Sequence, residues 1–480
     1  MEQLTGVGLK FQPSHFPERI LYMRFSLPLL LLSLLLPTAC APTVQDSLQT
    51  KTEQADAKKL EKIGHIIVVS LENHSFDNIF GHFPGANGVE QASHNSLQQT
   101  DKNGVAYAYL PAIMDTHHKP ALKDQRFPSH LDNNIFAIET YVAANEKIGD
   151  LVHRFYQEQL QIHDGKMDRF ATISDAGGLT MGYYDGSKTN LWKYASNYTL
   201  ADNFFHAAFG GSFLNHFWLV CACTPIYEQA PQHLKAVLGK NGELIKDGAV
   251  TPDGYAINTL YYFYPPHPIN AKKDELLPPQ TLPTIGDRLS EKGINWAWYA
   301  GGWNDALAGR PHPSFQFHHQ PLAAFQQFAD SSSARKEHLQ DEQDFLLALK
   351  TGKLPPVSFY KPLGEFNLHP GYADMASGDA HLATIMDAIQ ASPVWADSVV
   401  IIVFDENGGF WDHVAPPSID RWGAGTRIPA IIVSPFAKKH FVDHTQYDTT
   451  SILKLIESRH GLKALTSRDA SANNLLNALE

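Results

Sequence analysis

The sequence predicts an α/β fold, a mostly parallel sheet flanked by helices with loop and helix insertions, and three observations carry that reading. Two β-branched runs, Ile66-Ile67-Val68-Val69 and Val399-Val400-Ile401-Ile402-Val403-Phe404, show no polar alternation, as expected of strands covered on both faces. Apolar residues recur at helical spacing outside them: Leu382, Ile385, Met386 and Ile389 after Ser377, and Ile452, Leu453 and Ile456 ahead of a Gly461 stop. With 480 residues, 43% of them hydrophobic, the chain can bury one large core or two smaller ones.

In chain order, the first feature is an address. Phe25 to Leu36 is apolar for only a dozen residues, too short to span a bilayer and right for the h-region of an export signal. Met23-Arg24 supplies a start and a positive charge, whereas residues 1–22 carry Glu2 and Glu18 and resemble no signal, so the start is expected at Met23. Leu36-Pro37-Thr38-Ala39-Cys40 is similar to a bacterial lipobox, with Pro37 where Leu is usual, and Ala39-Cys40-Ala41 also reads as a cleavage site. The expectation is therefore residues 1–41 as signal, 42–62 as a polar linker and 63–480 as a single folded domain, exported and either secreted, periplasmic or lipid-anchored at Cys40. Cys221 and Cys223 stand at a spacing that suits neither a zinc knuckle nor an unstrained disulfide, and are expected as two packed thiols. Ile431-Ile432-Val433 reads as a third strand.

The segments after the strands carry the chemistry. The first strand runs into Glu72-Asn73-His74 and the second into Asp405-Glu406-Asn407-Gly408-Gly409. Ligands of open parallel sheets bind beyond the carboxyl ends of strands, so both acidic clusters are expected on one rim. Crowded buried carboxylates repel unless a cation sits among them, which points to a metal, although Glu72 and Asp405 as helix N-caps is the competing reading. Gly210-Gly211-Ser212 places a hydroxyl where backbone can approach an anion and a helix through Phe217-Trp218 can begin, although such a serine also serves as a simple N-cap. G-x-S-x-G, H-E-x-x-H, Walker A and G-x-G-x-x-G motifs are missing, and 38 basic against 50 acidic residues argue against nucleic acid as a partner.

Four phrases make a family resemblance specific: Ser70-Leu71-Glu72-Asn73-His74-Ser75-Phe76-Asp77-Asn78, Asp164-Gly165-Lys166-Met167-Asp168-Arg169-Phe170, Met181-Gly182-Tyr183-Tyr184 and Asp405-Glu406-Asn407-Gly408-Gly409-Phe410-Trp411-Asp412-His413. In this order, joined by Arg427-Ile428-Pro429-Ala430, they resemble the bacterial phosphoesterase family of phospholipases C and acid phosphatases, from residue 63 to about 460. The resemblance implies an alkaline-phosphatase-like core, Glu72, Asn73, Asp405 and Glu406 as metal ligands and Ser212 as nucleophile. The family's nucleophile phrase has prolines where this chain has Gly211 and Leu214, and arginine where it has His216. Asn215, His216, His153 and His318 are expected to bind substrate, while His369 and His413 are catalytic candidates, His413 oriented by its neighbour Asp412. Each histidine has a structural alternative. Carboxylate and amide ligands suit a hard ion such as calcium and imidazoles suit zinc, so the expected cofactor is a divalent metal, zinc first.

The expected activity is phospholipase C action on glycerophospholipids such as phosphatidylcholine. Acid phosphatase action on soluble phosphomonoesters is the alternative, and a noncatalytic lipoprotein binding a phosphorylated ligand is the rival of another class. The aromatic stretch Tyr255 to Pro266 is read either as a lipid-facing surface or as a packed strand, so peripheral contact with membrane lipid is expected on the first reading. No protein partner is inferable.

Overall fold

Eight strands make one sheet. In chain order they are β1 (His65–Leu71), β2 (Thr199–Ala201), β3 (Trp296–Ala300), β4 (Leu339–Asp341), β5 (Val357–Lys361), β6 (Ser398–Phe404), β7 (Ala430–Val433) and β8 (Phe441–Asp443). Across the sheet the order is β4-β3-β5-β1-β6-β7-β2-β8. All neighbours pair in parallel except β7, which is antiparallel to β6 and β2. The computed structural model describes residues 44–480. The apolar run Phe25 to Leu36, the start at Met23 and Cys40 lie outside the described residues.

β1 and β6 lack alternation because both faces are covered: Ile66 to Val69 and Val399 to Ile401 are wholly buried. Shortening Ile401 to Ala there would cost about 2–5 kcal/mol through the cavity it leaves. The run at Ile431 is the strand β7, but its direction reverses, and an apolar run reads the same both ways.

The main helices are α1 (Val44–Glu61), α2 (Phe155–Ile162), α3 (Ser212–Cys221), α4 (Ile285–Glu291), α5 (Glu342–Thr351), α6 (Met375–Ala391), α7 (Thr449–His460) and α8 (Ser467–Ser471). α6 starts on an Asp374 cap that accepts from Ser377 N at 2.8 Å and buries Leu382, Ile385, Met386 and Ile389. α7 starts on Asp448, ends on left-handed Gly461 and buries Ile452, Leu453 and Ile456.

Two expectations are corrected. The stretch read as a polar linker is largely the helix α1, since its Ala, Lys, Gln and Glu residues are strong helix formers whatever their polarity. Cys221 and Cys223 form a disulfide, with Cα atoms 5.1 Å apart. α3 ends at Cys221 and Ala222 turns left-handed (φ 46°), which brings the two sulfurs together across a spacing that a continuing helix would keep apart. Among the described residues no helix is long and apolar enough to cross a membrane.

Candidate active site

Three adjacent parallel strands, β5, β1 and β6, end side by side, and each delivers a charged residue to the same rim. β1 and β6 pair Leu71 with Phe404, so Glu72 and Asp405 emerge as neighbours. β5 pairs Val69 with Tyr360, which brings Lys361 beside them from the other side. The strand order, invisible in the sequence, is what assembles the site.

Ser212 reaches this rim from α3. Gly210 is left-handed (φ +87°), and a Cβ there would sit 2.5 Å from Phe155 N, so only glycine lets the chain pass. The loop is braced from below. Glu158 is buried, accepts Gly210 N at 2.5 Å and Thr426 N at 3.0 Å, and pairs with His206 Nε2 at 2.9 Å. Asn215 Nδ2 donates to the carbonyls of Ala208 and Gly210, both at 3.0 Å. So held, Ser212 Oγ lies 3.2 Å from Asn73 Oδ1 and 3.3 Å from Glu406 Oε1, beside a cleft of about 450 Å³ that His153, His318, His369 and Tyr372 also line.

Two layers of ionisable groups follow. In the outer one, His153 Nε2 stands 3.3 Å from Asn73 Nδ2 and 3.7 Å from Glu406 Oε1, with its ring edge-on to His369. Burial disfavours the His153 charge, but Glu406 and Asp150 outweigh it and push its pKa up to about 9. Burial pushes the Glu406 carboxyl up to about 8, with His153 pulling the other way. In the inner layer, Glu72 Oε1 lies 2.6 Å from His319 Nε2 and 2.8 Å from Lys361 Nζ, while Glu72 Oε2 accepts from Asn367 at 2.8 Å and Tyr372 at 2.7 Å. Burial would raise Glu72, yet His319 and Lys361 hold it well below the usual carboxylate range. Burial pushes His216 and His318 well down, with Lys361 and His319 adding to the effect, so both rings are neutral.

The donor set fits a divalent metal. Asn73, Asp405 and Glu406 crowd oxygens around Ser212, and His216 Nδ1 and Nε2 and His318 Nδ1 are buried without a hydrogen-bond partner. Groups of three potential ligands occur at Glu72, His318 and His319 and at Asp150, His153 and His369.

Of the residues expected at the site, Ser212, Asn73, Asp405, Glu406, Glu72, His153, His318 and His369 meet here. Four sit elsewhere or act differently. His413 lines a separate cavity with Lys166 and Asp168, and its Nδ1 bonds Asp77 Oδ2 at 2.6 Å. Asp412 does not orient it. That carboxylate is taken by Arg427 at 2.9 Å. Asn215 braces the Ser212 loop, with its amide fully engaged by backbone, and does not face the cleft. His216 is wholly buried one helical position further, in the inner layer against Asp405. Lys361, Asn367, Tyr372 and His319 were missed. Lys361 had a usable signal, since it ends the run Val357-Ser358-Phe359-Tyr360 just as Glu72 and Asp405 follow theirs.

The aromatic stretch is neither reading entire. Tyr262 is core, 1% exposed, while Tyr261 and Phe263 are 41% and 48% exposed. Tyr261, Ile269, Leu307 and Phe317 line an apolar cavity of about 1100 Å³ that shares Thr259 and Gln316 with the Ser212 cleft.

The chain is similar to known proteins over most of its length. The model of the phosphoesterase family matches residues 63–463. Non-hemolytic phospholipase C of Pseudomonas aeruginosa is 24% identical over 442 residues, 84% of this chain and 54% of that protein. Phospholipase C A of Mycobacterium tuberculosis is 25% identical over 441 residues, 84% of this chain and 74% of that one. The chain thus spans only about half the length of the Pseudomonas protein. A solved alkaline-phosphatase-superfamily protein from Vibrio parahaemolyticus aligns with a TM-score of 0.32 at 12% identity, covering 60% of this chain and 65% of that one.

Proposed function

The chain belongs to the phosphoesterase family, and from that premise we propose that it is a metal-dependent phospholipase C that cleaves the phosphodiester of glycerophospholipids through Ser212. The observation that carries the reading is Ser212 Oγ, presented at the N-terminus of α3 into a cleft, 3.2 Å from Asn73 and 3.3 Å from Glu406. The relatives named as phospholipases C and the apolar cavity beside that cleft support a lipid in place of a small ester.

In this reading the first N–H groups of α3 hold phosphate oxygens while Ser212 Oγ, its proton passing to solvent, attacks phosphorus; the P–O bond to diacylglycerol breaks and the phosphorylated head group is left esterified to Ser212. His153, protonated at neutral pH, gives the diacylglycerol oxygen its proton. Water then attacks phosphoserine, Ser212 regains a proton and the phosphorylated head group leaves. Glu72, Asn73, Asp405 and Glu406 would hold a divalent ion beside Ser212, which when bound would withdraw charge from the phosphoryl oxygens and favour the serine alkoxide. The ion is proposed as zinc on the strength of the neighbouring imidazoles.

The test compares release of phosphocholine from phosphatidylcholine with hydrolysis of a soluble phosphomonoester, before and after chelation. Lipid hydrolysis lost on chelation and restored by zinc is expected. Turnover of the monoester alone would make acid phosphatase the reading, and no turnover of either in the zinc-loaded protein would leave phospho-ligand binding. Export is proposed with it, as the Cys221–Cys223 bond suits an oxidising compartment. Mass spectrometry of the native protein should find a mature chain beginning near Cys40, and retention of Phe25 to Leu36 would refute this.

A further inference from the structure

The apolar cavity beside the Ser212 cleft opens on a rim of exposed hydrophobic side chains. Ile269 is fully exposed there, and Leu307 and Tyr261 are about half-exposed. The first two come from two segments, the loop 263–277 and a short helix, Trp303–Leu307, with the turn 308–313 that follows it. Single apolar side chains on a surface need no explanation, but three that border one apolar cavity form a patch, and such patches mark contact surfaces.

Both segments hold these side chains out on firm backbone. The loop closes where Leu277 N donates to Tyr261 O at 2.7 Å and Phe263 N to Leu277 O at 3.0 Å. Inside it, Ala271 N donates to Pro268 O and Glu275 N to Lys272 O, both at 2.9 Å, and the Arg335 guanidinium donates to Pro265 O. Pro265, Pro266 and Pro268 in one segment and Pro311 and Pro313 in the other each fix φ. An element already ordered loses little conformational entropy when it docks.

Charge selects the partner. The two segments carry Lys272, Lys273 and Arg310 against Asp274, Glu275 and Asp305, an even balance. Lys272 pairs with Glu275 at 2.8 Å and Arg310 with Asp305 at 3.3 Å, so two of the three cations are neutralised within their own segment. The whole chain has a formal charge of -12, which an anionic surface repels. The complement of a neutral, apolar patch is a surface without net charge over an apolar interior, and a zwitterionic phospholipid bilayer is such a surface.

We propose that residues 263–277 and 303–313 are a membrane-docking face, seated on a zwitterionic bilayer with Ile269 and Leu307 inserted among the lipids. The cavity they border then opens onto the bilayer. Because it shares Thr259 and Gln316 with the Ser212 cleft, a phospholipid passes from the membrane to Ser212 without crossing bulk water. The inference rests on the phospholipase C reading and adds the surface from which the enzyme draws its substrate.

Binding is measured by co-sedimentation of the full chain carrying Ser212→Ala, which leaves the lipid intact, with phosphatidylcholine vesicles. It should change less than about twofold between about 0.05 and about 0.5 M salt, because no net charge drives it. Adding Ile269→Ser/Leu307→Ser should weaken it at least about tenfold, since burying one such side chain is worth about that factor. Both side chains are exposed, so their replacement opens no core cavity, and circular dichroism verifies folding. With Ser212 present, the same pair should depress hydrolysis of phosphatidylcholine in vesicles about tenfold more than that of a short-chain phosphatidylcholine dissolved as monomers. No sedimentation of the Ser212→Ala chain with vesicles, sedimentation unchanged by the pair, a steep loss of binding with salt, or equal loss on vesicles and monomers would each overturn the inference. The binding and salt measurements stay decisive even where the pair does not fold. Vesicle binding that the pair abolishes, in a chain that hydrolyses neither lipid, would sink the proposed activity and leave the docking face supported.

Discussion

Ser212 is a small side chain at a helix start, 5% exposed, so truncating it opens no sizeable cavity. Ser212→Ala should therefore lower phosphatidylcholine hydrolysis by at least about a thousandfold while the melting temperature holds, as expected when a nucleophile is removed. Substantial residual turnover would remove Ser212 from the mechanism. Asn215 makes the contrasting case. As a brace on the Ala208 and Gly210 carbonyls it should, when changed to Ala, cost about 1–3 kcal/mol of stability and depress kcat with KM nearly unchanged. A rise in KM alone, measured by initial rates, would return it to the substrate-binding role that its position in the sequence suggested.

Among elements, the packing of α7 against α8 carries a pH signature remote from the proposed metal. Burial, reinforced by a hydrogen bond to Asp469, pushes Glu457 from an ordinary 4.5 up to about 9. The folded chain then holds a proton that the unfolded chain has lost, so this contribution to stability is complete below pH 4.5 and disappears as pH rises through 9. Glu457→Gln keeps the shape without the ionisation. Thermal melts should show its advantage over the native chain growing between about pH 5 and about pH 9, and a pH-independent difference would disprove the buried-proton account. The element boundaries themselves were largely readable. Asp374, Asp448 and Gly461 cap and stop α6 and α7 by local chemistry that needs no tertiary partner. α1 was misread because polarity was weighed and helix propensity was not.

At the scale of the molecule, the apolar cavity next to the Ser212 cleft is where a lipid substrate would differ from a soluble one. Tyr261 lines it and is half-exposed, whereas Tyr262 is packed in the core, so the former can be changed cleanly. Tyr261→Ser should reduce phosphatidylcholine hydrolysis about tenfold, a loss of order 1.4 kcal/mol, and spare a soluble phosphoester. Equal loss on both substrates would assign Tyr261 to folding, and no loss on either would detach the cavity from lipid.

By itself the sequence determined the layered α/β class, since unalternating apolar strands and periodic helices state their burial locally. It also showed that Glu72 and Asp405 follow strands and that Ser212 follows a glycine pair. Only the tertiary structure decided what those residues meet. The neighbours of a strand in a sheet depend on long-range pairing, so nothing local announces that β5 lies against β1 and sets Lys361 beside Glu72. For the same reason adjacency in the chain misled at Asp412 and His413, where the carboxylate that holds the imidazole comes from Asp77, more than three hundred residues away. Charge partners are chosen by the fold, so the neighbour along the chain need not be the one that pairs.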